Sequence, residues 1–294
     1  YNDRIITVDN TVKRIQTLSN DGGVKLIIGN ITGIDKKKYN VSSFKFSSIG
    51  NLYVSENGTY YIQNRFPQSQ IRIGYNIKNK LGFSPSFITV FNKKGKLLHT
   101  LGTSGVQSSP FYHIEHLFVD SHERLFVLAR NSNVWEIYGF KNKKRFYYYN
   151  LGTLKFIEKD GDDTFKGKIE NIKFYNDSNK MLISVAFYFG LRLKYRNIYN
   201  FDMADNTISK PLMQIPDPKN VLFQLVKDKL IYFWNVDPDE IKFMITDIEG
   251  NIINNIRLKL EDSKKYYNNV FSSNSGTLYS YSITSKGIDF YTWE

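Results

Sequence analysis

Five times along this chain a leucine leads into aromatic and β-branched residues, a turn, and a second run of the same kind. The anchors are Leu52 in NLYVSENGTYYI, Leu125 in RLFVLARNSNVWEIY, Leu182 in KMLISVAFYFG, Leu230 in KLIYFWNVDPDEIKFMI and Leu278 in TLYSYSITSKGIDFY. A repeat of this kind constrains the fold more than any single motif, because each copy is a unit that buries its faces only against its neighbours. Leu182, Leu230 and Leu278 are spaced by 48 residues, close to the ~40–50 residues of one four-stranded propeller blade. The earlier spacings, 73 and 57 residues, imply insertions. Most of the excess falls in RFPQSQIRIGYNIKNKLGFSPS, Arg65 to Ser86, a Pro/Gly/Asn-containing stretch that reads as an extended hairpin or loop.

Each copy continues into a third strand: FITVFN, VWEIYGF, RNIYNFD, IKFMITD and IDFYTWE. Four of these are followed by a turn (NKKGK, KNKKR, MADNT, IEGN) and a fourth strand (KLLHTLG, FYYYNLG, ISKPLMQI, IINNIRL). Gly, Asn and Asp in such turns supply the positive φ that tight hairpins require. The fifth copy stops after its third strand at Trp293-Glu294. At the other end, NDGGVKLIIG, Asn20 to Gly29, has the turn-plus-strand form of the missing piece. The expectation is an all-β, single-domain propeller over 1–294, of about five four-stranded blades, with six as the alternative count. Its blades span 41–104, 111–152, 168–216, 219–260 and 266–294. The strand within 20–30 closes the last blade by pairing with Gly287 to Trp293, and 1–19 is an N-terminal extension in which RIITV forms a further strand. Closure of this kind removes exposed sheet edges. An open β-sandwich is the competing architecture. No segment has sustained helical periodicity.

Composition agrees with a folded, strand-rich chain. Tyr (21) and Phe (22) are abundant within 294 residues, and both suit pleated, half-buried surfaces. No run of 18 or more apolar residues and no signal-peptide pattern is present, so no segment is expected to span a membrane. The sequence begins at Tyr1 rather than Met, which points to a longer precursor whose targeting segment, and a lipid-bearing Cys, lie upstream. With no cysteine, disulfides, thiolate metal sites and cysteine nucleophiles are excluded. The balance of 40 Lys+Arg against 28 Asp+Glu gives +12, a field that favours anionic partners.

Gly95 to Phe140, GKLLHTLGTSGVQSSPFYHIEHLFVDSHERLFVLARNSNVWEIYGF, resembles the NHL-type propeller repeat: a Gly-ended outer strand, a linker, an inner strand, then VDSHERLFV and a third strand. The other blades share the pattern. With its Lys/Asn/Ile/Tyr bias the chain also resembles the envelope β-propeller lipoproteins of spirochaetes such as Borrelia, some of which are likened to BamB, the propeller lipoprotein that supports the outer-membrane barrel assembly machine. That resemblance implies a lipid-anchored protein of a bacterial cell envelope, on the periplasmic face or the cell surface. It also implies protein partners, the barrel assembly machinery among them.

Several constellations bear on chemistry. His113, His116 and His122 lie within ten residues of one another with Glu115 and Asp120 between. However, strand alternation sends His113 and His116 to opposite faces, which argues against a metal site. EKDGDDTFKGKIE, Glu158 to Glu170, departs from the EF-hand template at its sixth and twelfth positions and reads as an inter-blade loop. Asp237, Asp239 and Glu240 cluster in one turn, whereas propeller glycosidases gather carboxylates from different blades. No nucleophile elbow, phosphate loop or dinucleotide fingerprint occurs. No cofactor, metal or catalytic residue is assigned.

The basic clusters are Lys36-Lys37-Lys38; Lys93, Lys94 and Lys96; Lys141, Lys143, Lys144 and Arg145; and Lys264-Lys265. The second and third occupy equivalent turns of successive blades, which places them on the same rim, and they are the candidate partner-binding residues. Nucleic acid is not expected, because the aromatic runs sit inside strands rather than beside the lysines. The leading functional expectation is a non-catalytic scaffold for protein–protein interaction. The alternatives are a lactonase- or glycosidase-like enzyme using the central channel, and a surface adhesin for anionic host glycans.

Overall fold

The structure, a computed structural model, describes residues 4–19, 21–66, 86–102, 111, 113–131, 134–215, 217–237, 240–259, 270–272, 276–284 and 287–293. These form six β-sheets in chain order, the arrangement of a β-propeller, with no α-helix among the described residues. The chain divides into two compact units, Tyr1–Thr153 and Leu154–Glu294, with three sheets in each.

In the first unit, sheet one contains β1 (Arg4–Asp9), β2 (Arg14–Ser19), β3 (Val24–Gly29) and β4 (Val41–Ser43). Sheet two contains β5 (Ile49–Val54), β6 (Tyr60–Arg65), β7 (Ser86–Phe91) and β8 (Leu97–Leu101). Sheet three contains β9 (Ile114–Val119), β10 (Leu125–Asn131), β11 (Val134–Lys141) and β12 (Lys144–Asn150). In the second unit, sheet four contains β13 (Ile157–Asp160), β14 (Asp163–Phe174), β15 (Lys180–Phe189) and β16 (Arg192–Asp202). Its outer edge is shared by two short strands, β17 (Thr207–Ile208) and β18 (Met213–Ile215), both paired with β16. Sheet five contains β19 (Val221–Val226), β20 (Leu230–Asp237), β21 (Glu240–Asp247) and β22 (Ile252–Lys259). Sheet six contains β23 (Val270–Ser272), β24 (Leu278–Thr284) and β25 (Gly287–Trp293).

The leucine repeat marks five blades because sheet one has no leucine anchor of that kind; β1 and β2 read RIITVD and RIQTLS. The expected closure by Asn20 to Gly29 is corrected. β3 pairs antiparallel with β2 on one edge and parallel with β4 on the other, so neither edge remains for Gly287 to Trp293. Glu158 to Glu170 is also not a loop: Ile157–Asp160 and Asp163–Phe174 pair as a hairpin around Gly161, whose φ is 58°. The long insertion Pro67–Pro85 and Lys264-Lys265 lie outside the described residues.

The core lies between successive sheets. Ile15, Leu26 and Ile28 of sheet one meet Ile49, Tyr60, Ile62 and Phe91 of sheet two. Ile88, Val90 and Leu101 meet Ile114, Leu117, Val127 and Tyr138 of sheet three. In the second unit Leu182 and Ile198 meet Leu222, Ile231 and Phe233, while Ile241 and Phe243 meet Leu278. Middle strands therefore bury both faces and read as nearly continuous apolar runs. Fourth strands are covered less: Ile252 and Ile253 of β22 are 62% and 56% exposed.

Candidate basic groove

Within each unit, the turn between third and fourth strands rests on the outer strand of the preceding sheet. Between β7 and β8, Gly95 has φ 81°, and a Cβ there would lie 3.0 Å from Leu26 Cδ1 and Ser42 Cβ. The Ser42 hydroxyl donates to the Gly95 carbonyl at 2.5 Å. Between β21 and β22, Gly250 has φ 94° and sits in the same way against Met213. Between β11 and β12 the contact is Asn142, with φ 55°, whose backbone is hydrogen-bonded to the His99 ring on β8. A glycine lets the first two turns seat flush. The third is a two-residue turn, Asn142-Lys143, between the paired Lys141 and Lys144, and here the surfaces stay apart.

They leave a groove of about 790 Å³ lined by Leu98, His99, Lys141, Asn142, Lys143, Lys144 and Phe146. Leu98 and Phe146 are 47% and 46% exposed and form its apolar walls. Phe146 is held from behind, edge-on to Phe126 at 5.8 Å, with the Arg124 guanidinium 5.7 Å from its ring. Arg124 is itself bonded to the buried Asp120 carboxylate at 2.6 Å, so its charge is already matched.

His99 Nε2 is buried without a hydrogen-bond partner. Burial holds the His99 pKa below its ordinary value, and the Lys143 ammonium lowers it further against the bond to Asn142. The ring is thus neutral near pH 7. The three strands around the groove carry a single acidic residue, Glu136 of β11. Tyr138 and Tyr148 both donate to its carboxylate at 2.9 Å. The groove therefore combines ammonium groups with two apolar walls, and His99, whose Nε2 is buried without a partner, lies among its lining residues.

The expected partner-binding residues divide accordingly. Lys141, Lys143 and Lys144 line the groove. Arg145 does not; its guanidinium lies over Tyr148, 5.6 Å from the ring. Lys93, Lys94 and Lys96 are exposed on the turn that docks on Ser42, where the Asn92 side chain accepts from the backbone N–H of Lys94 and Lys96 at 3.0 and 2.9 Å. Both basic turns thus rest on the preceding sheet, and the second opens a groove. From sequence the run Phe146 to Tyr149 reads as packing between blades, and His99 and Leu98 carry no signal, because their meeting with Phe146 depends on how sheets two and three dock.

The remaining candidates are tied into local bonds. His113 lies 3.6 Å from Glu115, which also pairs with Arg130 at 3.2 Å. His116 lies on β9, and His122 is exposed in the turn capped by Asp120. Asp237 is bridged by Lys219 and Lys242, and Glu240 by Lys242 at 2.6 Å. The lysine bonds hold the Asp237 carboxyl below its usual range. Asp239 lies outside the described residues. Glu158 accepts from Tyr195 at 2.6 Å, Asn197 at 2.8 Å and Tyr199 at 3.2 Å. Among the described residues no three His, Asp or Glu side chains converge to hold a metal ion.

No protein-family model matches the sequence, and no curated protein matches it. Solved structures do. The β-propeller domain of Cps50 (Swd1) from Myceliophteria thermophila is 11% identical and superposes with a TM-score of 0.51, covering 99% of this chain and 80% of that one. The β-propeller domain of the Trilobed protease from Pyrococcus furiosus is 9% identical, with a TM-score of 0.49 over 99% and 90% of the two chains. The Dos1 propeller is 12% identical, with a TM-score of 0.46, and this chain covers 66% of its length. At such identities the likeness to the Cps50 domain shows the β-propeller fold and nothing of activity.

Proposed function

We infer that this chain is a non-catalytic interaction propeller whose basic turns engage an acidic surface of a protein partner. The observation that carries this reading is the groove in which Lys141, Lys143 and Lys144 face Leu98 and Phe146. Cations at its rim raise the encounter rate with an acidic partner, and the apolar walls give the complex its lifetime. Of the clustered carboxylates Asp237, Asp239 and Glu240, Asp237 and Glu240 are held by lysines. The proposal extends to place: a bacterial cell envelope, with a lipid anchor on an upstream Cys. There the outer-membrane barrel assembly machinery is the leading partner, as the resemblance to spirochaetal envelope propellers suggests.

Crosslinking in intact cells followed by co-purification tests this. An envelope protein should be recovered, and joint charge reversal at Lys141, Lys143 and Lys144 should lower its recovery by roughly tenfold, the loss expected when about 1.4 kcal/mol of binding is removed. Recovery of no envelope protein, or recovery unchanged by charge reversal, overturns the reading.

A further inference from the structure

The groove has features that plain charge attraction does not require. A basic rim for any anion needs only exposed ammonium groups, as Lys93, Lys94 and Lys96 provide on the neighbouring turn. At the second turn the lysines instead flank two exposed apolar side chains. Phe146 is packed edge-on against Phe126 and beside the Arg124 guanidinium, which holds its ring in place. Leu98 stands on β8, an outer strand in which Leu97 is also exposed, at 41%. Two apolar walls under a basic rim suit a ligand that is anionic along its length and apolar at one point.

We propose that this groove holds an acidic, extended peptide segment, seating one apolar side chain between Leu98 and Phe146 and setting its carboxylates on Lys141, Lys143 and Lys144. The inference rests on the interaction-scaffold reading and narrows it to one groove and one ligand chemistry. Charge complementarity supports the choice: the lining has three ammonium groups and no carboxylate. Glu136, the acid of the adjoining strand, is already occupied by two tyrosine hydroxyls. A glycan polyanion would match the lysines but leave Leu98 and Phe146 in contact with its hydroxyls.

His99 supplies the second argument. Its Nε2 is buried with no partner, so a proton placed there would have nothing to be donated to, which disfavours the charged ring. A carboxylate arriving at Lys143 neutralises the ammonium that, after burial, holds the ring's pKa down. Lys141, Lys143 and Lys144 of the β11–β12 turn line the groove with His99, and the Lys143 ammonium is the charge that acts on its ring. On its own strand and at the paired Val90 there is no other titratable side chain. An anionic ligand therefore offsets the cations that disfavour protonation, and binding should draw in a proton.

The probe is a fluorescein-labelled glutamate peptide with one central phenylalanine, compared with the same peptide carrying serine at the centre. Anisotropy should show the phenylalanine peptide binding about tenfold more tightly, the factor given by partial burial of one aromatic ring. Leu98→Ser should remove that difference. Lys143→Glu with Lys144→Glu should abolish binding of both peptides, with far-UV circular dichroism confirming the fold. Affinity of the phenylalanine peptide should rise as pH falls towards about 6, and His99→Gln should flatten that rise. Equal affinity for the two peptides, or a heparin oligosaccharide bound as tightly as the phenylalanine peptide, overturns the inference. So does peptide binding that survives the Lys143 and Lys144 reversals. The wider reading fails separately, when crosslinking recovers no envelope protein at all. A crosslinked partner whose footprint avoids the groove overturns the inference and leaves the wider reading standing.

Discussion

Asn51 of β5 and Asn171 of β14, in sheets of different units, make the same kind of bond to the next sheet. Asn51 Nδ2 donates to the Ile114 carbonyl at 2.6 Å, and Asn171 Nδ2 donates to the Leu222 carbonyl at 2.7 Å. In each case a strand that pairs irregularly with its neighbour reaches the bulged strand of the next sheet. Register breaks occur at Ile49/Leu52 in β5, Leu128/Ala129 opposite β9, Ile169/Asn171 in β14 and Leu222/Gln224 in β19. A bulge turns a side chain away from the ladder, and here it aims an amide at the neighbouring backbone.

Replacing Asn51 or Asn171 by alanine should therefore destabilise the protein by about 1–2 kcal/mol, since a carbonyl between sheets loses its donor. Thermal unfolding should show a fall of a few degrees for each variant. An unchanged midpoint would mean that water replaces the amide at no cost.

Two residues beyond Asn51, Tyr53 donates its hydroxyl to the Val119 carbonyl at 3.2 Å. Two beyond Asn171 stands Lys173, in register with the fully buried Leu182. Part of Lys173 still reaches solvent, but its ammonium lies deep among protein atoms, and burial pushes its pKa down to about 8. At pH 7 the amine is charged in both folded and unfolded chains, so the full desolvation cost is in force. That cost is relieved as pH rises from about 8 towards 10.5. Lys173→Met should raise stability at pH 7 by about 1–2 kcal/mol, allowing for the part of the side chain that water reaches, and the gain should shrink at alkaline pH. Urea unfolding at the two pH values decides it.

For His99 the sign runs the same way at lower pH. Its folded pKa lies below 6.5 through burial first and Lys143 second, so the unfolded chain binds the extra proton. Stability from this group is complete above about 6.5 and is lost as pH falls through that value towards the folded pKa. His99→Gln should make the protein less sensitive to acid between neutral pH and about 5.5. Parallel urea melts of variant and parent should converge over that range, and curves that stay parallel would show that His99 does not titrate there.

Gly250 carries a different constraint. At φ 94° it occupies a backbone region that side chains rarely adopt, and a Cβ would meet Met213 at 3.0 Å. Gly250→Ala should cost about 1–3 kcal/mol, and Met213→Ala in the same chain should recover only the contact part of that loss. Partial recovery measured by thermal melting separates crowding from backbone strain.

Much of this architecture was legible in the residues. The leucine anchors stand at strand positions, and the turns NKKGK and IEGN close as their glycines require, with Gly95 and Gly250 at positive φ. The role of VKLIIG was not legible. A period of two marks a strand but does not say which partners it takes, so β3 looks like a fourth strand although it is clasped between β2 and β4. The hairpin around Gly161 was hidden for another reason: its acidic turn resembles a calcium loop more than a strand connection. Of the groove, the lysines were visible as charge. Leu98, His99 and Phe146 gained meaning only when β8 and β12 lay beside the same turn.

Among the described residues, the hydrophobic clusters join sheets that are consecutive in the chain, and this bears on biosynthesis. The cluster running from Ile15 to Phe91 lacks nothing once Phe91 has left the ribosome. The next, ending at Phe140, adds one sheet to a surface already formed. A nascent chain can therefore bury apolar surface stepwise as it emerges, without waiting for distant sequence to complete its core.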